Sequence, residues 1–183
     1  MNREQALELL HKHIKNEKMI AHCLASEAVM RKVGERLGQN ADEWGLAGLL
    51  HDIDVEMTNA DPYTHGKKAR ELIGDLLPES AIDAIEMHNE VSAGKDRSTM
   101  FQHALAASET ITGLIFATAL VYPDKKIASV KVKSVVKRMK EKHFAASVKR
   151  ENIMECERVG LALDEFTEIA LKAMSENSDK YGM

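Results

Sequence analysis

His51 and Asp52 stand side by side at the end of the stretch EWGLAGLLHDID, residues 43–54, with Asp54 two positions on. The residues before the pair are small and apolar, so the pair falls where a buried helix ends. Imidazole and carboxylate are both metal ligands, and adjacency there brings two of them to one point at the edge of a core. An aspartate at a helix C-terminus also opposes the macrodipole, a conflict that a cation relieves.

Four further residues are spaced to join them. A helix expected over 17–37 has an apolar stripe of Met19, Cys23, Met30, Val33 and Leu37, and at 100° per residue His22 falls inside it. His88 lies on the Ala81, Ala84 and Ile85 side of a helix expected over 79–89. His65 falls in the first turn of one expected over 64–77. Glu109 sits among Phe101, Leu105, Thr112, Phe116 and Leu120, the buried stripe of the longest helix, 99–122. A carboxylate in an apolar interior must be protonated, paired or bound to a metal. A single inward histidine is ordinarily a satisfied core residue; it is the set that carries weight. Imidazoles and carboxylates without thiolates suit Mn, Fe, Co, Ni or Zn. Cys23 and Cys156 have no ligand spacing, which excludes a structural zinc site.

The elements needed to position these groups are all helical. Aromatics are 4% of the 183 residues and prolines number three, while Ala, Leu, Glu, Lys and Met, good helix formers, are abundant. A first helix is expected over 3–14, and Gly38 is a suitable left-handed stop for the second. Gly45, Ala47 and Gly48 predict close helix approach in 43–51. Residues 54–64 and 91–97 read as loops, and Thr99 with Gln102 forms a capping box. Val132, Val135, Val136 and Met139 recur at helical spacing; Ser147 is expected to cap a helix to about 159, and the last helix to start at Asp164, with a frayed tail from Asn177. No linker or repeat divides the chain. The expectation is one all-α domain, 1–183, a compact helical bundle with a core over about 17–122 and a basic extension over about 125–177.

Net charge is −4, yet residues 125–150 hold ten Lys or Arg against one acid, Glu141. That surplus of nine leaves thirteen negative charges on the rest. It reads either as a solvated helix face or as a surface toward phosphate. The lysines lack interleaved aromatics and the whole is acidic, which argues against a nucleic-acid module. Two cysteines and no signal-peptide pattern or long apolar run lead to the expectation of a cytoplasmic protein without a membrane span.

The ordered set resembles the HD-domain metal-dependent phosphohydrolase superfamily. His22, His51 and Asp52 match the first three positions of its H…HD…D pattern. LLHDID, the His65-Gly66 pair, an isolated His88, HALAASETITGLI and SVKRENI look like the small bacterial HDIG-containing group, over about residues 17–175. The resemblance implies a first metal on His22, His51, Asp52 and Glu109, and a second on His65 and His88, bridged by Asp52. Glu109 departs from the pattern, which has Asp there. The implied chemistry is attack of metal-activated water on the phosphorus of a nucleotide or another small phosphate ester. Asp52 and Asp54 are the candidate catalytic carboxylates, Asp54 as a group that orients or deprotonates water. Lys142, Lys149 and Arg150 are candidate phosphate clamps. A non-catalytic regulator that binds metal and nucleotide through the same pocket is the alternative reading.

Overall fold

Asparagine starts the first three helices of the computed structural model, which describes residues 1–182. Asn2 and Gln5 close a capping box on α1 (Arg3–His13). Asn16 caps α2 (Glu17–Arg36), and Asn40 caps α3 (Ala41–Leu50). Gly38 (φ 67°) turns the chain between α2 and α3, as its left-handed conformation allows.

Helix α3 is the centre of the molecule, with every residue from Trp44 to Leu50 buried. It can lie against α2 only because position 48 has no side chain. A Cβ there would stand 2.6 Å from the Ser26 carbonyl oxygen and 3.0 Å from Met30 Cγ. The small-residue pattern therefore does what it was expected to do, with Gly48 against the α2 backbone and Gly45 against the Arg31 side chain, 2.5 Å from where its Cβ would stand.

The helix expected over 64–77 is shorter. Residues 51–60 and 62–68 are turns, and α4 spans only Ala69–Ile73, followed by a 3-10 turn at Gly74–Leu76. The Asp54 carboxylate accepts the amides of Gly66 and Lys68, which holds the segment in turns, and Gly66 has φ 96°. Helix α5 (Glu79–Met87) follows Pro78 and stops at His88. The loop expected over 91–97 includes one helical turn, α6 (Glu90–Ala93), ended by Gly94.

Helix α7 (Met100–Leu120) opens on the expected Thr99–Gln102 box. By length and composition it could cross a membrane, but 67% of its most apolar window is buried inside this fold, where it is a core helix. Leu120, expected inward, is 57% exposed. Helix α8 (Val132–Met139) buries Val135 and exposes Lys133 and Lys137. Ser147 caps nothing: α9 (Arg150–Met154) begins after Lys149 and passes into a 3-10 turn, Glu155–Val159, ended by Gly160. Helix α10 (Leu163–Ser175) buries Phe166, Ala170, Ala173 and Met174. The tail is not frayed up to Tyr181, which lies in a 3-10 turn with its ring edge-on to Phe116 at 5.7 Å. Buried apolar side chains from Ala6 to Met174 form one cluster, and among the described residues no strand occurs. The fold is all-α, as expected.

Candidate metal centre

Four imidazoles are held the same way. At the end of α3, His51 Nδ1 lies 2.9 Å from the Gly48 carbonyl. At the end of α5, His88 Nδ1 lies 2.5 Å from the Ile85 carbonyl. Each is a backbone acceptor one turn back, which a histidine just past a helix end reaches within its own chain. In α2, His22 Nδ1 lies 2.9 Å from Thr112 Oγ1, whose own proton goes to the Glu109 carbonyl at 2.7 Å. His65 Nδ1 lies 2.7 Å from Asp54 Oδ1. With Nδ1 donating in every ring, all four Nε2 atoms are free to be ligands.

Those Nε2 atoms form two sets around one carboxylate. In the first, His22 and His51 are 3.1 Å apart, and Asp52 Oδ2 is 3.5 and 3.4 Å from them. In the second, His65 and His88 are 3.0 Å apart, and Asp52 Oδ1 is 3.0 and 3.4 Å from them. Each set is a candidate ligand group, and Asp52 gives one oxygen to each. Neighbouring ligands on one ion with bonds of ~2.1 Å stand roughly 3.0–3.4 Å apart. Facing nitrogen lone pairs repel, so these contacts call for a cation or a proton between them. The donor set therefore fits a divalent metal.

The protonation pattern agrees. Burial would raise the Asp52 carboxyl, but His51, His65, His88 and His22 together hold it well below the carboxylate range, so it is ionised. Burial holds His51 down to about 3, against the pull of Asp52 and with His22 and His88 adding to it. Burial also lowers His65, but hydrogen bonds to Asp52 and Asp54 outweigh it and lift that ring to about 10. Two carboxylates thus favour the protonated His65 ring when no cation is present, and a metal ion would take the place of its Nε2 proton.

Glu109 stands at the rim of the first set. Its Oε2 is 3.9 Å from His22 Nε2, outside the compact triplets, and the Thr110 hydroxyl donates to its other oxygen. Burial raises its carboxyl, opposed by His22 and Thr110.

A cavity of about 370 Å³ opens onto both sets. Its far wall comes from the segment after α8, through Ser147, Val148, Lys149 and Asn152. Lys149 is the one proposed clamp that lines it. Lys142 is exposed and lies outside the lining. The Arg150 guanidinium donates to the carbonyls of Phe144, Ala145 and Val148, so it holds the loop that carries the wall. Asp54 does not line the cavity either. It is fully buried, and His65, Gly66 and Lys68 take its oxygens; it positions His65 rather than a water. His103 Nδ1 lies 2.8 Å from Glu155 Oε2, behind the cavity wall.

Three contributors gave no sequence signal. Thr112 read only as a stripe residue, and Asn89, which donates to the Pro62 and His65 carbonyls at 2.9 Å, read as a helix-end polar. Asn152 read as part of an ordinary helix. Thr112 provides a direct test. Thr112→Val keeps its shape and removes the acceptor for His22 Nδ1. Partners of this kind are worth ~10–100-fold in metal affinity. A metal titration should show a loss in that range, and unchanged affinity would detach Thr112 from the site.

An all-helical bundle that gathers four histidines around one aspartate belongs to the histidine–aspartate class of metal proteins. Residues 19–139 match the family model described as HD domain, and the chain belongs to that family. No curated protein and no solved structure matches the chain. The family is one of metal-dependent phosphohydrolases whose members bind divalent metals, and the His/Asp cluster here is of that kind.

Proposed function

We propose that this protein hydrolyses a small phosphate ester, a nucleotide being the first class to test. The observation that carries the reading is the Asp52 carboxylate shared by two histidine pairs at the floor of a cavity whose wall bears an ammonium group, Lys149. A bound divalent cation would supply Lewis acidity toward a phosphoryl oxygen and would acidify water. The residues divide the remaining work. His22, His51, Asp52 and Glu109 would hold one ion, and Asp52, His65 and His88 the other. Thr112 and Asp54 keep the rings of His22 and His65 aimed. Lys149 places a positive charge against the phosphate. Asn89 holds the turn that carries His65, Asn152 lines the wall, and the cavity has room for a small organic group. The ion is Mn, Fe, Co, Ni or Zn. The chain works as one domain in the cytoplasm, where its free and buried Cys23 and Cys156 stay reduced.

A second reading, a metal-bound nucleotide sensor without turnover, is favoured by one feature: Glu109 stands where the family pattern has Asp. One experiment separates the two. Protein purified without added metal is analysed for metal, then screened against phosphorylated metabolites with each of the five ions. Phosphate release is expected, with Lys149→Ala raising KM at least ~10-fold, about 1.4 kcal/mol. Stoichiometric metal and ligand binding with no phosphate release would overturn the enzyme reading in favour of the sensor.

A further inference from the structure

A buried polar network outside the metal ligands centres on Arg97, whose side chain is 2% exposed. Its guanidinium meets two parts of the site at once. Nη1 donates to the carbonyls of Met87 and His88, at 3.0 and 3.1 Å. These lie at the C-terminus of α5, where carbonyls lack helical partners and a cation is favoured. Nε and Nη2 fork onto Glu155 at 2.8 and 2.6 Å, and Nη2 also reaches Asn152 Oδ1 and Glu90 Oε2, each at 3.1 Å. His103 completes the Glu155 end at 2.8 Å. His88 is a ligand of the second set, and Asn152 lines the cavity.

We infer that Arg97 is a positioning residue that locks the His88 end of α5 to the C-terminal wall of the cavity, so that the second ion and the substrate wall are set by one side chain. The inference rests on the two-ion reading above. A planar fork of five donors satisfies two carbonyls on one edge and a carboxylate with an amide on the other; a lysine ammonium is a point charge and cannot span them. Its contacts do not touch His22 or His51 and reach the first set only indirectly, through His88 to the shared Asp52 and through Asn152, Thr110 and Glu109.

The test is a Co²⁺ titration of wild type, Arg97→Lys and Arg97→Gln, with helix content by circular dichroism and, once a substrate is known, KM and kcat. Wild type should take two equivalents. Arg97→Gln should weaken one of them ~10–100-fold while leaving the other intact, the range seen when a partner of a metal ligand is removed. It should also raise KM, and Arg97→Lys should fall between. If Arg97→Gln does not fold, Glu155→Ala, which removes the carboxylate end of the fork while leaving the guanidinium on the α5 carbonyls, should show the same selective loss. Equal losses of both equivalents at unchanged helix content, or no loss, would overturn the role given to Arg97. A single equivalent in wild type would instead overturn the two-ion reading, and this inference with it.

Discussion

Asp52→Ala should strip the protein of both metal ions and abolish phosphate release, while its helices remain. The two oxygens of this carboxylate face different histidine pairs, Oδ2 toward His22 and His51, Oδ1 toward His65 and His88. Alanine leaves four imidazoles in two close pairs with no anion between them. The expected loss of affinity exceeds the ~100-fold reached when only a partner of a ligand is removed. Asp52 lies beyond the end of α3, so no helical hydrogen bond depends on its side chain. Elemental analysis, a metal titration and circular dichroism suffice. A variant that kept one ion at wild-type affinity would show that the carboxylate is not shared.

Glu109→Gln should reverse its effect on stability when metal is added. Burial raises the Glu109 carboxyl above its ordinary value, despite His22 and the Thr110 hydroxyl. A carboxyl whose folded pKa is raised costs the fold stability once the pH exceeds its unfolded pKa, because the ionised form is then disfavoured in the folded chain. At neutral pH the metal-free Gln variant should therefore melt higher than wild type. With metal, the anionic ligand becomes an asset. The Gln variant should then melt lower and bind the first ion at least ~10-fold more weakly. Glu109→Asp should retain binding, since Asp is the residue of the family pattern. Equal affinities for all three proteins would remove Glu109 from the site, and the 3.9 Å separation from His22 would be its resting distance rather than the approach of a ligand.

Much of this arrangement was written in local sequence. His22, His88 and Glu109 could be placed inward because helical periodicity fixes the direction of a side chain from its neighbours alone. The His51-Asp52 pair was legible from the apolar helix before it, and the start of α7 from Thr99 and Gln102. Gly48 announced close packing because only a missing side chain permits it. The tertiary structure decided what depends on groups distant in the chain. That Asp52 serves two histidine pairs follows from how α2, the end of α3, the 62–68 turns and the end of α5 meet. Asp54 and Arg150 changed roles for the same reason. A carboxylate or a guanidinium looks available in sequence until the fold supplies partners, and here backbone amides and carbonyls took them. Arg97 gave no signal at all, because a charged residue in a polar loop is ordinarily solvated. Only the convergence of α5, α6, α9 and the turn after it buried that charge, and a buried charge must be answered by partners, which here are Glu90, Asn152, Glu155 and the carbonyls behind His88.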